Sequence, residues 1–559
     1  MVEICRTWKD AHIEVEQRVV IIEATWDRTN RQASFMSRVA PVMDDHLRRI
    51  NNNLLQQLSV CLELAINTLE TVVVQSDVLS RPNLFGFGFR AKKAAWVRKK
   101  DTVDGIITDL EAWQGRADPS WFLIMKIANP IIDNELAKAR VVETKTHGLP
   151  TAAKQPFAVA VGLRNVLSPK PEQTKSVFLT DTPMQWRNIP FSSVKAGRLV
   201  GAGDVKWYIV DTVEIGAAAL VRDVARDVGA LAVKLSKADP LAFGLLNCKG
   251  AVAVPRQRRE SHHPVSPHPN QHDYECFRFI LRIPEGMEVL QSLRHLLLNS
   301  DAHISLSRKV RMARELAKAV SYVHNFAFVH KNVRPESVLC FEKPAENPSL
   351  PSLHSSSAAS ISYHNSHAFL VGFDAFRAST ADTLMSGDMR WDRNVYRHPL
   401  RQGDDPAEKY RMQHDIYSLG VCLLELGLWE SFVEYTEGGG AQTPQPKLGG
   451  TYDNFQAWLR ENPLAVTTAT TSTGLADDAA SRFREDLAFR LKDYLVEQAQ
   501  TRLAPRMGER YARVVLSCLA CLDEDSEDFS GVAAEDTSDD AAALWFIENV
   551  IQALDEIAV

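Results

Sequence analysis

The chain has 559 residues, 64 basic and 70 acidic side chains, a net charge of −6, 45% hydrophobic residues and 24% charged ones. This composition excludes a collagen-like or wholly disordered chain. No apolar run reaches the roughly 20 residues of a membrane-spanning helix. A net negative total argues against a generic nucleic-acid binder, and the length suits about three domain-sized units.

The first residues show no signal peptide, and the eight cysteines are scattered, as in a cytoplasmic chain. Only Cys518 and Cys521 lie close together, in an apolar stretch that reads as buried helix rather than half a zinc site.

Residues 1–140 read as a helical bundle. Ile4, Trp8, Ala11, Val15, Val19, Ile22 and Trp26 recur every three or four positions, which is one apolar stripe of a helix. Leu47, Ile50, Leu54, Leu58, Cys61, Ala65, Leu69 and Val72 form a second stripe. Further helices are expected around 91–115 and 121–138, and such stripes must be buried against one another. Residues 141–189 read as a linker that passes into an irregular region.

KWYIVDTV at 206–213 and FRFILRI at 277–283 have the β-branched and aromatic content of strands, with a helix expected over 218–236. His262, His263, His268 and His272 fall in a proline-rich polar loop without helical spacing, which favours an insertion over a metal site. Helices dominate from 291 onwards. The strongest amphipathic pattern is 305–326, with Ser305 or Ser307 as its N-cap. A Ser-rich surface loop is expected at 346–367.

FVHKNVRPESVL at 328–339 follows that helix directly. It resembles the protein-kinase catalytic loop, H-R-D-L-x-x-x-N, with His330, Lys331, Asn332, Val333 and Ser337 at the patterned positions. Gly372, Phe373 and Asp374 stand where D-F-G belongs. Pro399 matches the proline of A-P-E, and HDIYSLG keeps Asp415, Tyr417, Ser418 and Gly420 of a C-lobe helix. Four motifs in the right order make the chain similar to the protein-kinase family over roughly 190–556. The resemblance implies an α+β chain: an all-α bundle, then a bilobal protein-kinase-like fold with an N-lobe at 190–290 and a C-lobe at 291–559. It also implies that Pro399, Asp415 and Gly420 are structural.

The chemical positions depart from the family. A kinase uses an Asp to orient the substrate hydroxyl, and an Asn and the D-F-G Asp to hold magnesium. Here those positions are Asn332, Ser337 and Gly372. No G-x-G-x-x-G and no V-A-I-K lysine is evident, since Lys206 precedes its strand. The expected protein is a pseudokinase with no cofactor and no metal. The alternative is an active atypical Ser/Thr kinase that binds ATP and magnesium through Asp374, which an extended strand would turn to the same side as the lost D-F-G Asp.

ICRTWKDAH and DLEAWQGRADPSWFLIM in the N-terminal region are similar to fungal proteins that join a HeLo-type (prion-inhibition and propagation) domain to a kinase-like domain. That likeness implies signalling in incompatibility or cell death, protein partners, homo-oligomers, and membrane association on activation. LFGFGFRAKKAAWVRKK at 84–100 sets Phe85, Phe87 and Phe89 beside Lys92, Lys93, Lys99 and Lys100. Aromatic and basic residues of this kind suit an anionic membrane surface; the competing reading packs the Phe residues on the bundle and leaves the lysines solvated. A third reading is a pure scaffold, with the bundle as a docking module.

The charge is unevenly placed. Residues 514–559 hold twelve acidic side chains and neither Lys nor Arg, so the first 513 residues carry net +6.

Overall fold

The computed structural model describes residues 2–76, 88–125, 130–145, 164, 177–200, 206–215, 221–256, 274–299, 304–342, 366–378, 390–403, 406, 408–436, 444–463, 476–523 and 539–558. The chain is mixed α+β and divides into two compact units, Met1–Pro171 and Glu172–Val559. Among the described residues no helix is long and apolar enough to cross a membrane.

The first unit is helical: α1 (Val2–Val39), α2 (Asp45–Val72), α3 (Lys93–Ile124) and α4 (Pro130–Lys145). A hairpin of β1 (Val73–Ser76) and β2 (Gly88–Ala91) joins α2 to α3. The second stripe is buried as expected from Leu47 to Val72, with Cys61 half-buried.

The first stripe holds at Val15, Val19 and Ile22 but not at Trp26, which is 37% exposed. Beyond Ile22 the buried face runs instead through Thr25, Thr29, Gln32, Phe35 and Val39, so polar Thr25 takes the inward position beside Trp26. The third helix runs past 115 to Ile124, through Pro119, where the sequence suggested a break.

The second unit begins with a six-stranded sheet. Strands β3 (Phe178–Leu179) and β4 (Met184–Asn188) lie within 141–189, where the sequence suggested a linker. β4 is an edge strand with four of five residues exposed, so it lacks the alternation that reveals a strand. Then come β5 (Lys195–Leu199), β6 (Trp207–Glu214), helix α5 (Val221–Leu235), β7 (Cys248–Pro255) and β8 (Tyr274–Arg282). Their spatial order is β3-β7-β8-β6-β5-β4, antiparallel except for β3 with β7.

Alternation sorts β6 between two faces. Tyr208 and Val210 join Val252 and Ile280 on one side, which leaves Ile209, Asp211 and Val213 for the other. All three are buried.

Strand β9 (Glu288–Ser292) leads into α6 (Leu293–Leu298) and the amphipathic α7 (Leu306–Asn325), whose N-cap is Ser305. Short β10 (Phe328–Val329), β11 (Val338–Glu342), β12 (Ser366–Leu370) and β13 (Arg377–Ala378) frame the motif segments. Helix α8 (Met412–Leu428) is buried along its whole length. It packs against α11 (Glu509–Leu519), with α9 (Gly450–Glu461) and α10 (Ala476–Gln498) between them in sequence. Gly420 permits that packing, because a Cβ there would lie 2.7 Å from the Cβ of Cys518.

Cys518 and Cys521 are both buried, as the helical reading expects, with Cys521 just beyond the helix end. The histidine loop, most of the Ser-rich loop and most of the acidic run lie outside the described residues.

Candidate functional site

Asp415, near the start of α8, organises the loop that carries the motif. Its carboxylate accepts the backbone N–H of His330 (2.7 Å) and of Lys331 (2.8 Å), and the Tyr410 hydroxyl (2.7 Å). His324 Nε2 lies 3.1 Å away. Lys331 has a left-handed φ of +66°, a strained state for a side-chain-bearing residue. Both N–H groups bound to one buried carboxylate hold it there. Burial would raise the Asp415 pKa, but its bonds and the nearby His324 and His330 bring it below the usual carboxylate range.

His330 is fully buried, and burial lowers its pKa, so the ring is neutral. Its Nδ1 accepts the Asn332 backbone N–H at 3.3 Å and its ring sits 4.8 Å from that of Phe373. Lys331 is pushed down to about 8, first by burial and then by Arg377 and Arg401.

Asn332 is committed on every side. Its amide nitrogen donates to Asp374 Oδ1 (2.8 Å) and to the Gly372 carbonyl (3.3 Å), and its oxygen accepts from Arg334 Nε (2.7 Å). An amide does here what a carboxylate would not, since a donor must face Asp374. Ser337 is buried and folds its hydroxyl onto the carbonyls of Asn332 (2.7 Å) and Arg334 (2.8 Å). These residues bind one another. Among the described residues no three His, Cys, Asp or Glu side chains cluster as a metal site would require.

The D-F-G-like triplet corrects one expectation. Gly372–Asp374 is not extended. Gly372 has φ +84°, and the chain turns there. A Cβ at Gly372 would lie 2.8 Å from Ser337 Cβ and 3.3 Å from Asn332 Nδ2, so both the conformation and the space require glycine. The turn directs Asp374 onto Asn332 instead of into an open cleft.

Asp211, in the middle of β6, was not recognised as a site residue. Its Oδ2 accepts the backbone N–H of both Gly372 (2.7 Å) and Phe373 (2.8 Å). It is 1% exposed, and burial, helped by the charge of Asp374, pushes its pKa up to about 7 against the pull of the two N–H bonds. The signal in the sequence was a single acid in the otherwise apolar run WYIVDTV. Asp223 and Asp227 on α5 both pair with Arg226.

A second buried network underlies the loop. Arg294 on α6 is inaccessible to solvent. Its guanidinium bonds Glu336 (2.9 Å), Ser431 (2.6 Å), Glu425 and Tyr396. Glu336 also accepts the Tyr435 hydroxyl, and Glu425 accepts the Tyr396 hydroxyl, each at 2.6 Å. Burial alone would raise Glu336, but Arg294 and Arg334 bring it down to about 2. Glu425 is raised by burial despite Arg294.

The structure thus brings His330, Lys331, Asn332, Ser337, Gly372, Phe373, Asp374 and Asp415 together. Pro399 starts a buried one-turn helix, Pro399–Arg401, and Gly420 serves helix packing. A cleft of about 1010 Å³ runs along Arg282–Met287 and is lined also by Ile189, Pro190, Lys206 and Trp207; no motif residue lines it.

In the first unit Phe85 and Phe87 lie outside the described residues, and Phe89 is in β2. Lys93 opens α3. Lys92 is exposed and donates to the Thr71 carbonyl at 3.4 Å. Lys99 is exposed on α3, while Lys100 pairs with Glu14 at 3.0 Å. Trp96, which shared their segment, is wholly buried in the bundle core and donates to Glu14 at 2.9 Å.

Comparison with family models finds no match to this chain, and comparison with curated proteins finds no relative.

Proposed function

We propose that the chain is a pseudokinase: a kinase-like signalling protein that acts by binding and conformational change, not by phosphoryl transfer. One observation carries this. Kinases keep a phosphate-binding lysine on the third strand of the small lobe and a metal-binding Asp at D-F-G. In this chain the third strand of the antiparallel run β4-β5-β6 presents the carboxylate of Asp211 instead. That carboxylate is bonded to the backbone of Gly372, the residue at the metal-binding Asp position.

A buried acid that supplies no positive charge thus stands where phosphates would need charge neutralisation, and a glycine replaces a metal ligand. At the base position stands an amide already bonded on three sides. Transition-state stabilisation of phosphoryl transfer is mostly positioning and charge, and each of these changes removes one of its parts.

The order of elements supports the kinase-like reading: three antiparallel strands, helix α5, two strands, then a mainly helical half whose buried Asp415 fixes the His330 loop. On this reading the helical first unit is an effector or docking module with protein partners. The likeness to HeLo-type fungal proteins gives incompatibility or cell-death signalling as its setting, at anionic membranes on activation.

Incubating the full chain with radiolabelled ATP, magnesium and generic protein substrate tests the inert state. Incorporation at background level is expected, identical in Asp374→Ala. Transfer that disappears in Asp374→Ala would establish the active-kinase alternative.

A further inference from the structure

The loop Ile189–Val194, which joins β4 to β5, is pinned at its tip to the mainly helical half of the unit. The Pro190 carbonyl accepts the Ser292 hydroxyl at 2.7 Å. The Phe191 ring stacks on His295 (5.6 Å between centroids, planes 23° apart) and meets Tyr435 edge-on at 4.8 Å. Ser192 Oγ donates to the Glu336 carbonyl at 2.8 Å. Ser193 Oγ lies 3.5 Å from where a Cβ on Gly372 would stand.

Every one of these partners lies beyond the sheet; Glu336 adjoins Ser337, and the Tyr435 hydroxyl bonds Glu336 in turn. Phe191 adopts φ +51°, a left-handed backbone for a bulky side chain. Such a conformation persists only where its surroundings over-determine it, and it is found at clamps and switches.

The loop is nonetheless built to come away. Its strand β4 is an exposed edge held by β5 alone. Its ends, Ile189 and Val194, are buried, but the tip between them is not: Pro190 and Ser193 are exposed, and Phe191 is only half-buried. Segments with few buried contacts open at low free energy. The same loop lines the 1010 Å³ cleft with Ile189 and Pro190 and reaches Gly372 with Ser193.

We propose that Ile189–Val194 is an autoinhibitory strap. Phe191, held in the slot between His295 and Tyr435, keeps the strap down over the Asp211–Gly372–Asn332 cluster, and its release joins that cluster to the cleft beside Arg282–Met287. The inference rests on geometry that stands whether or not ATP is bound or hydrolysed, so its test does not use nucleotide.

Hydrogen exchange of the full chain, wild type against Phe191→Ala, reads the strap directly. The informative amides are Gly372 and Phe373, which Asp211 protects. Exchange of a peptide spanning 369–376 is expected to accelerate at least tenfold, with strands β7 and β8 unchanged. Phe191→Trp, which refills the slot, is expected to restore protection. Unchanged exchange at 369–376 would overturn the proposal, because Phe191 would then be an ornament of the loop. Equal acceleration in β7 and β8 would overturn it as well, because Phe191 would then support the whole fold rather than a strap.

Discussion

Arg294→Met is expected to destabilise the second unit by about 3–5 kcal/mol, the cost of stripping one partner from a buried ion network. Arg294 is the guanidinium between Glu336 and Glu425, with both carboxylates almost inaccessible to solvent. Methionine fills much of the volume but leaves two buried carboxylates without a cation, held by the hydroxyls of Tyr396 and Tyr435 and the Phe432 N–H. One or both must then take up a proton or open to water. Glu425→Gln should cost less, because an amide oxygen can still accept the Phe432 N–H that Glu425 now holds at 2.6 Å. Urea unfolding at neutral pH followed by tryptophan fluorescence measures both. A loss below about 1 kcal/mol for Arg294→Met would mean that the network is not formed.

The second large effect is on pH dependence. A free aspartate titrates near 3.9, and Asp211 is pushed up to about 7 in the folded chain. Between those values the folded state holds a proton that the unfolded state has released. By linkage the Asp211 contribution to stability is therefore full below about pH 4, falls as pH rises to about 7, and stays lost above it. At about 1.4 kcal/mol per unit the change is on the order of 4 kcal/mol.

Asp211→Asn should remove this slope, since the amide oxygen can accept the Gly372 and Phe373 N–H bonds without ionising. The reading is the difference between wild-type and variant unfolding free energies from pH 4 to 8. In that difference the opposite slopes from imidazoles buried neutral, His330 and His398 among them, cancel. The variant is expected to gain on wild type as pH rises towards about 7 and to level off above it, and parallel curves would show that Asp211 is not buried as described.

Much of the fold was legible because periodicity survives burial on one side. The α2 stripe, the α7 pattern with its Ser305 cap, and the apolar strands β6 and β8 are read almost residue by residue. The elements that escaped had no such pattern. β4 is an exposed edge, α3 carries a proline within its length, and on α1 the inward position falls to polar Thr25 rather than to Trp26.

At the site, the motif positions were legible by type and order, but their partnerships were not. Asn332 and Asp374 stand 42 positions apart in sequence, and Asp211 and Gly372 161 apart. Only the turn at Gly372 shows that Asp374 faces Asn332. Asp211 signalled itself as an acid in an apolar strand, which in retrospect asked what it was bonded to. Arg294 in QSLRHLLL posed the same question on a helix. The Phe191 strap had no local signal, because its meaning lies in residues about a hundred or more positions away.

On the proposed pseudokinase reading, Asn332, Ser337, Gly372 and Asp374 are bonded to one another and hold no nucleotide. Thermal unfolding of the full chain with and without millimolar ATP and magnesium tests it most directly. A ligand at a hundred times its dissociation constant stabilises a protein by about 2.7 kcal/mol, a shift of several degrees. An unchanged midpoint is the expected result, and a magnesium-dependent rise of several degrees that Asp374→Ala abolishes would contradict it.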